Sequence, residues 1–437
     1  MNVELINTGS ELMLGRVLNT HQQWLCRRLA DLGYVVTRQV AVADTGRDIE
    51  QAVREALSRA DLVITTGGLG PTSDDITRDL IAQLLNKPLR EDAAIVQHIE
   101  QFFASRKRAM PASTRIQAMV PEGAVVLPNP HGTAPGLVIE VEDGRWKMED
   151  GKKDTPPFST LHNPSSSSSK WLIMLPGPPR ELRPMFNDAV APLLCRVLPR
   201  DDPFVCRTLR TTGMGESMVA EKIGGLLRGF VSRGMDLGYC ARVGQVDVRL
   251  VGRGPGAAEM VRDAEGIVRE QLGGIIYGAD DDELETVIVR LLTGRNQTLS
   301  LAESCTGGGI ANRITNVPGA SAVLLASLVT YANDAKQKLL GVRAETLAAH
   351  GAVSEAVARE MAEGARRVTG ADYVLSVTGI AGPGGGSDEK PVGTVFIGLA
   401  MAEETIVVRQ FNAFDRETFK IVTGTQALEM LRRKLVP

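Results

Sequence analysis

The chain lacks the cysteine pattern of a disulfide framework or a zinc site. Its cysteines number five, which is odd, and no two of them form a Cys-x-x-Cys pair. No apolar run approaches the roughly 18–20 residues that span a bilayer, and the first residues form a strand-like segment rather than a signal peptide. We therefore expect reduced thiols, a cytoplasmic location and no membrane partner.

Charge of one sign is not in excess either. The chain has 49 Lys and Arg against 52 Asp and Glu, which gives a formal net charge of −3 over 437 residues. This balance produces no overall attraction to nucleic acid or to a membrane surface. The length exceeds what one hydrophobic core supports, so it predicts two or three domains.

Short apolar strands alternate with amphipathic helices in the first part of the chain. The pattern predicts strand–helix pairs at residues 3–7 and 21–32, at 34–42 and 47–60, and at 62–65 and 76–85. This order predicts an α/β fold with a doubly wound parallel sheet. In such a sheet, ligands bind at the carboxyl ends of the strands.

A glycine-rich loop follows the third of these strands. Glycines let a phosphate approach the backbone closely, and the candidate binding residues of the loop are Thr66, Gly67, Gly68, Gly70 and Thr72. Two interpretations of the adjacent Asp74 and Asp75 stay open. In the first interpretation, one of the two aspartates caps the next helix. In the second, the two aspartates together hold a divalent cation beside a phosphate.

Residues 203–277 predict a smaller α+β unit. Strands are predicted at 208–212 and 245–251, and helices at 216–227 and 257–272. The segment Gly213-Met214-Gly215 is compatible with a loop that grips RNA, but the unit lacks a dense basic face with aromatic platforms. We therefore expect a spacer or dimerisation module, with no nucleic-acid partner, followed by an acidic linker at residues 278–283.

A second glycine-rich turn, Gly307-Gly308-Gly309, organises the last part of the chain. It separates a predicted strand at residues 299–302 from a predicted helix start at 310–314. Such a turn directs backbone N–H groups towards one point, which suits a phosphate, a carboxylate or an oxyanion. Ser304 lies beside that point, and Cys305 is a rival nucleophile, although a buried cysteine is more often inert. His350, the only histidine of this part, has no other sign of a Ser-His-Asp triad.

Four segments together resemble the C-terminal domain of the CinA family, the nicotinamide mononucleotide (NMN) deamidases. They are residues 302–309, 329–336, 376–386 and 390–394. The resemblance implies that Ser304 is the nucleophile and Lys336 its base, and that Tyr331 orients or relays the proton. It also implies a set of substrate-binding residues: Glu303, Thr306, Gly307, Asn333, Thr378, Gly379, Gly382 and Arg416.

Arg416 is expected to bind the substrate phosphate, for which a guanidinium group is suited. The alternative for Arg416 is a surface ion pair with Asp415 or Glu417.

The N-terminal part resembles the molybdopterin-binding domains of the MoaB/MogA type, through residues 9–15 and 65–79. Residues 129–136 and 175–182 complete the version that is fused in CinA proteins. There the resemblance implies hydrolysis of ADP-ribose to AMP and ribose 5-phosphate, with a divalent metal such as Mg²⁺ or Co²⁺ at Asp74 and Asp75. The further nucleotide-binding residues that it implies are Asn129, Gly132, Thr133 and Glu181.

The sequence thus predicts a multidomain α/β hydrolase of pyridine nucleotide salvage. We expect a MoaB/MogA-like domain at residues 1–197 with a polar loop insertion at 145–170, a KH-like connector at 203–277 and a deamidase domain at 284–437. The family resemblance also implies a homodimer. The alternative is a competence-related protein that binds molybdopterin or a nucleotide without N-terminal catalysis.

Overall fold

A computed structural model describes residues 1–141, 170–199 and 203–436. The chain divides into two compact units, Met1–Asp202 and Pro203–Pro437. The polar insertion predicted at residues 145–170 lies outside the described residues, except for Lys170. Within the described ranges, none of the helices is both long and apolar enough to cross a membrane.

The first unit contains eight described strands and seven described α-helices. The strands are β1 (Val3–Thr8), β2 (Val36–Val42), β3 (Leu62–Thr66), β4 (Leu89–Glu91), β5 (Met119–Pro121), β6 (Val125–Leu127), β7 (Gly136–Val141) and β8 (Lys170–Leu175). The helices are α1 (Ser10–Met13), α2 (Thr20–Asp31), α3 (Gly46–Arg59), α4 (Thr77–Leu84), α5 (Ala93–Ala104), α6 (Pro179–Met185) and α7 (Ala191–Val197).

The main sheet of this unit has the strand order β2-β1-β3-β8-β7-β6. Strands β2, β1, β3 and β8 are parallel, as the strand–helix alternation predicts, whereas β7 is antiparallel to both of its neighbours. The register pairs Asn7 with Thr66 and Thr66 with Leu175. The carboxyl ends of β1, β3 and β8 therefore lie side by side.

The central strands β1 and β3 are buried on both faces of the sheet, which explains their continuous apolar runs. Successive residues of β1 alternate between two apolar layers. Ile6 packs in the layer that contains Ile49 of α3, and Leu5 packs in the layer that contains Leu25 of α2. The side chain of Thr45 accepts a hydrogen bond from the N–H of Asp48 and so caps α3.

The second unit contains nine strands and eight α-helices among its described residues. The strands are β9 (Phe204–Thr212), β10 (Asp236–Arg242), β11 (Gln245–Arg253), β12 (Ile276–Ala279), β13 (Leu299–Glu303), β14 (Leu324–Val329), β15 (Tyr373–Gly379), β16 (Thr394–Ala400) and β17 (Thr405–Phe411). The helices are α8 (Glu216–Val231), α9 (Ala257–Leu272), α10 (Leu284–Arg295), α11 (Gly309–Thr315), α12 (Asn333–Leu340), α13 (Ala344–His350), α14 (Glu355–Thr369) and α15 (Arg416–Leu435).

Two sheets organise this unit. An antiparallel sheet with the order β10-β11-β9-β12 packs against α8 and α9. A second sheet has the order β14-β13-β15-β16-β17, in which the first three strands are parallel and the last two are antiparallel. Apolar residues of α10, α11 and α15 share one core beside this sheet, and those of α14 belong to another.

The acidic segment predicted as a linker is hydrogen-bonded at both ends. Asp280 accepts a hydrogen bond from the N–H of Thr208, and Asp282 accepts one from the N–H of Ala279. The C-terminal helix adds a further connection, because the buried Arg432 of α15 donates to the carbonyl of Gly274. Helix α15 thus contacts the segment that precedes β12 of the first of these sheets.

Candidate functional site

Ser304 and Lys336 form a buried hydrogen-bonded pair. The distance between Lys336 Nζ and Ser304 Oγ is 2.9 Å, although 32 residues separate the two in the chain. Ser304 directly follows β13, and Lys336 lies in the first turns of α12, which follows β14. Because β13 and β14 are parallel neighbours, their carboxyl ends meet at one edge of the sheet and bring the two side chains together.

Three oxygen atoms lie within hydrogen-bonding distance of the amine of Lys336. Nζ lies 2.7 Å from the carbonyl oxygen of Thr330 and 3.3 Å from that of Tyr331, and among the described residues it forms no salt bridge. Only 1% of Lys336 is exposed, and this burial lowers the pKa of its amine below that of an ordinary lysine.

The three oxygen atoms match the three N–H donors of an ammonium, and they also accommodate a neutral amine. The neutral amine carries two N–H donors and one lone pair, whereas an ammonium carries three donors and no acceptor. The carbonyls of Thr330 and Tyr331 can accept both N–H groups, and the lone pair then faces the hydroxyl of Ser304. The arrangement is suited to removing the proton from Ser304.

Cys305 is a poor rival to Ser304 as nucleophile. Its side chain is buried within an apolar core. Burial raises the pKa of the thiol to about 12, so the reactive thiolate is scarce near neutral pH. Of the two adjacent candidates, the arrangement favours Ser304.

Glu303 occupies the helix N-terminus that the sequence pattern assigns to an external anion. Its carboxylate accepts hydrogen bonds from the N–H groups of Gly308 (3.0 Å), Ile310 (3.1 Å) and Ala311 (2.9 Å). The residue is completely buried. Glu303 therefore stabilises the turn and the start of α11 and, in this arrangement, offers no surface to a substrate, in contrast to the expectation from the sequence.

Tyr331 and Arg416 contact each other at the edge of the site. Arg416 Nη2 donates to the Tyr331 hydroxyl at 2.7 Å, and Arg416 Nη1 donates to the carbonyl of Gly382 at 2.8 Å. In the described chain the Tyr331 hydroxyl makes no hydrogen bond to Ser304 or Lys336, so a proton relay through it is absent from this arrangement. The carbonyl of Tyr331 instead orients the lysine.

The alternative expectation for Arg416, a surface ion pair, is not met. Asp415 caps α15 by accepting hydrogen bonds from the N–H groups of Glu417 and Thr418. Within the described ranges Arg416 forms no salt bridge at all. Its charge therefore remains available to an anion.

The other expected substrate contacts are divided between buried and exposed positions. Thr378 is buried and donates its hydroxyl to the carbonyl of Ala352 at 2.7 Å. Thr306 is buried with its Oγ1 unpartnered among the described residues, whereas Asn333 is exposed at the start of α12. A Cβ on Gly379 would lie 2.9 Å from the carbonyl oxygen of Thr394, so this position requires glycine for packing.

His350 belongs to a different place. It lines a cavity of about 460 Å³ between α13 and α14, together with Arg343, Ser354, Glu355, Ala356, Arg359, Glu360 and Glu363. In the described structure it makes no hydrogen bond to Ser304 or Lys336. A Ser-His-Asp triad through His350 is therefore not formed.

The glycine loop of the first unit is shaped by close packing at the ends of β1 and β3. A Cβ on Gly67 would lie 2.7 Å from Thr8 Oγ1, and one on Gly68 would lie 2.0 Å from Thr77 Oγ1. Both glycines also have positive φ, 98° and 67°. The side chain of Thr66 points inward, because its hydroxyl donates to Asn7 Oδ1 at 3.0 Å.

Asp75 closes this loop rather than capping the helix. Its Oδ2 accepts hydrogen bonds from the N–H of Thr72 at 3.0 Å and from the Thr72 hydroxyl. Helix α4 begins at Thr77, and no side chain caps it, so neither Asp74 nor Asp75 has the capping role. Asp74 is exposed.

The two aspartates suit a cation that is shared with a ligand. Over the described ranges, no group of three or more His, Cys, Asp or Glu side chains converges on a possible metal position. Mg²⁺ commonly takes one or two carboxylates and completes its shell with phosphate oxygens and water. Asp74 and Asp75 fit that donor set, in which the nucleotide supplies the remaining ligands.

Asn129, Gly132 and Glu181 form a second cluster in the first unit. Asn129 Nδ2 donates to Glu181 Oε2 at 2.9 Å and to the carbonyl of Ala134 at 2.7 Å. A Cβ on Gly132 would lie 2.0 Å from Glu181 Oε2, and Thr133 beside it is half-buried. No hydrogen bond in the described structure joins this cluster to Asp75, so these expected nucleotide contacts form two groups.

One residue near the strand ends was not foreseen from the sequence. His21 of α2 lies beside the backbone of Gly177, and burial lowers the pKa of its imidazole. Gly177 follows β8 and lies against Gly67. A Cβ added to Gly177 would lie 3.8 Å from Gly67 Cα. Because α2 and Gly177 are distant in sequence, no local motif marks this histidine.

Three family models match consecutive parts of the chain. The model of a probable molybdopterin binding domain matches residues 4–196, that of the damage-inducible protein CinA KH domain matches 206–278, and that of the CinA C-terminal domain matches 281–435.

Relatives match over the full length. A competence-damage inducible protein of Symbiobacterium thermophilum is 46% identical over 100% of this chain and 99% of its own. A CinA-like protein of Gemmatimonas aurantiaca is 40% identical over 99% of this chain and 96% of its own. A competence/damage inducible protein from Agrobacterium tumefaciens of known crystal structure is 43% identical, covers 34% of this chain and 92% of its own, and has a TM-score of 0.34. The chain belongs to the CinA family.

Proposed function

We propose that the site around Ser304 deamidates NMN to nicotinate mononucleotide and ammonia. The observation that carries the proposal is the 2.9 Å contact between Ser304 Oγ and a buried lysine without a carboxylate partner. The identity of the substrate rests on the family resemblance and on the unpaired guanidinium of Arg416, which suits a phosphate.

The reaction would proceed through an ester on Ser304. Ser304 Oγ attacks the carboxamide carbon while its proton passes to Lys336. The tetrahedral intermediate collapses when Lys336 returns that proton to the amide nitrogen, and ammonia leaves. Lys336 then takes a proton from water, and the resulting hydroxide attacks the ester carbon. When this second intermediate collapses, Lys336 gives the proton to Ser304 Oγ, which releases the carboxylic acid and restores the Ser304 hydroxyl.

The negative charge that develops on the carboxamide oxygen needs nearby donors. Because Glu303 already takes the N–H groups of Gly308, Ile310 and Ala311, those groups are not available for it. The N–H groups of Cys305 and Thr306 make no hydrogen bond to a carbonyl or carboxylate among the described residues, and the acceptor beside both is the Cys305 sulfur, which accepts only weakly. We assign them the oxyanion.

Ammonia release from NMN by the purified chain tests this proposal. The Ser304→Ala variant should lose the activity, and the matched Cys305→Ala variant in the next position should keep it. Nicotinate mononucleotide carries one more negative charge than NMN, so the product should elute later than NMN from an anion-exchange column. A Ser304→Ala variant that retains the wild-type rate would contradict the mechanism.

The first unit favours a second activity, hydrolysis of ADP-ribose to AMP and ribose 5-phosphate. Its support is the glycine loop at the strand ends beside two aspartates that leave ligand positions for a nucleotide. Asp74 and Asp75 would hold a divalent metal such as Mg²⁺ or Co²⁺, which stabilises negative charge on a pyrophosphate. Without catalysis, the same loop would bind a nucleotide or molybdopterin.

Metal-dependent release of AMP separates these two possibilities. We expect AMP from ADP-ribose in the presence of Mg²⁺ or Co²⁺ and none with chelator. Calorimetric binding of ADP-ribose without any AMP formation, with either metal present, would favour the binding protein.

A further inference from the structure

A lysine that the family motifs do not include lies against the turn that carries the nucleophile. A Cβ on Gly307 would be 3.8 Å from Nζ of Lys420. Lys420 is half-buried, and in the part of the chain that is described its ammonium makes no hydrogen bond or ion pair. Its charge is therefore not neutralised by a protein group, and an ammonium beside this turn is suited to binding an anion.

The helix that carries Lys420 presents one face to the site. Arg416, Lys420 and Gly424 are spaced by four residues along α15 and therefore lie on the same face. Arg416 contacts Gly382 and Tyr331 at the edge of the site. A Cβ on Gly424 would lie 3.5 Å from Ile310 of α11, so this face is directed at the turn and at the helix after it.

The charges along this face are not neutralised by the protein. Arg416 and Lys420 lie in the first two turns of α15, where the helix dipole disfavours cations. Glu417 is close in sequence, but it forms no salt bridge with either of them in the described structure. Asp415 is occupied as the cap of the helix. Two positive charges thus face the mouth of the site without an acid partner.

The N-terminus of α11 cannot replace these side chains as an anion site. Glu303 already fills the N-terminus of α11 with a carboxylate. The buried Thr306 hydroxyl, between Ser304 and Gly307, has no partner among the described residues. An anion beside the turn would therefore be bound by side-chain cations rather than by the helix N-terminus.

We propose that Lys420 and Arg416 together bind the phosphate monoester of the nucleotide, and that Lys420 sets the preference of the site for a phosphorylated substrate. This proposal rests on the deamidase function proposed above. Two cations match the dianionic charge of a phosphate monoester near neutral pH. Lys420 is a specificity-determining residue and takes no part in the proton transfers between Ser304 and Lys336.

The test compares NMN with its dephosphorylated form, nicotinamide riboside, in Lys420→Met, Lys420→Arg and wild type. In Lys420→Met the KM for NMN should rise roughly 10- to 100-fold, as expected for loss of a charged hydrogen bond, while kcat for NMN and kcat/KM for nicotinamide riboside stay within about twofold. Lys420→Arg should restore most of the affinity for NMN. The control is Lys222→Met, which removes an exposed positive charge from α8 and should change neither substrate.

Two kinetic results would overturn the proposal. An unchanged KM for NMN in Lys420→Met would show that the lysine does not bind the phosphate. An equal loss for NMN and nicotinamide riboside would show that it only shapes the turn.

Calorimetric titration with inorganic phosphate measures anion binding at this site without the deamidation reaction. Wild type should bind phosphate at a site that Lys420→Met loses and Lys222→Met retains. If wild type does not deamidate NMN but shows this difference, the deamidase function fails and the anion site stands. If wild type is active and all three proteins bind phosphate equally, the function stands and the assignment of Lys420 fails.

Discussion

Lys336 is the residue on which the proposed deamidation depends. Its side chain is almost completely buried, yet its amine hydrogen-bonds only to neutral oxygen atoms. An ammonium in this position loses its hydration and gains no carboxylate partner, so burial disfavours the charged form and lowers the pKa of the amine. The same physical cause that makes Lys336 costly to bury makes it available as a base.

Replacement of Lys336 should remove most of the deamidase activity and change its pH dependence. We expect Lys336→Ala to lower kcat/KM by about 10²–10⁴-fold, the usual contribution of a general base. Lys336→Arg should not rescue the rate, because guanidinium stays protonated. In wild type, kcat/KM should rise with pH along a limb that lies below the pKa of an ordinary lysine. An arginine variant with near-normal activity would exclude Lys336 as the base.

The lowered pKa also predicts a stability difference that depends on pH. The folded state binds fewer protons at Lys336 than the unfolded state does between the lowered pKa and about 10.4. The free energy of unfolding of wild type should therefore rise relative to that of Lys336→Met as the pH increases from 7 towards 10. Urea unfolding of both proteins at several pH values measures the difference, and parallel curves would contradict the lowered pKa.

At the scale of elements, the position of the site depends on how β13 contacts α11 and how α12 contacts α14. Glu303 at the end of β13 ties the turn to α11 with three hydrogen bonds. Helix α12, which carries Lys336, packs end-on against α14. A Cβ on Gly364 of α14 would lie 1.8 Å from the carbonyl oxygen of Leu340, the last residue of α12.

Glu303→Gln should destabilise the second unit by about 2–4 kcal/mol. The amide keeps one acceptor oxygen and turns an N–H₂ group towards backbone N–H donors, so buried donors lose their partner. Glu417→Gln, an exposed position on α15, is the matched control and should change stability by less than about 0.5 kcal/mol. Equal stability of the two variants in urea unfolding would show that the carboxylate of Glu303 is not needed in the turn.

Gly364→Ala should lower both stability and deamidase activity. The added methyl group overlaps a backbone oxygen, which forces α12 to move, and such overpacking costs about 1–3 kcal/mol. Gly266→Ala in α9 is the control, because no atom lies within 4 Å of its added Cβ, and it should gain up to about 1 kcal/mol from better helix propensity. A Gly364→Ala protein as stable and as active as Gly266→Ala would show that α12 and α14 are not in close contact.

The elements also show what a sequence pattern can and cannot predict. The bounds of α9 agree with the predicted range 257–272, because the helix has a clear apolar period. Helix α15 was not predicted, since 11 of its 20 residues are buried and it has no single apolar stripe. The family resemblance assigned Glu303 to the substrate, and its role in the turn was not predicted because its hydrogen bonds reach five to eight residues ahead, beyond the range of local capping motifs.

At the scale of the whole molecule, the chain combines two units with separate cores and separate candidate sites. The Asp75 loop belongs to Met1–Asp202, and the Ser304–Lys336 pair belongs to Pro203–Pro437. The proximity of Ser304 and Lys336 was implied by family resemblance and not by spacing, because it depends on the parallel pairing of β13 with β14. The approach of His21 to Gly177 has the same long-range origin.

Separate sites predict that the two activities can be removed one at a time. Asp75→Asn is nearly isosteric, but a neutral amide is a poor ligand for a hard cation, so this variant should lose metal-dependent hydrolysis of ADP-ribose and keep the deamidation of NMN. Ser304→Ala should show the opposite pattern. Both rates are measured on the same preparations of the full chain, which controls for folding. Full ADP-ribose hydrolysis by Asp75→Asn would show that Asp75 only closes the loop with Thr72. Loss of both activities in either variant would show that the two sites depend on each other.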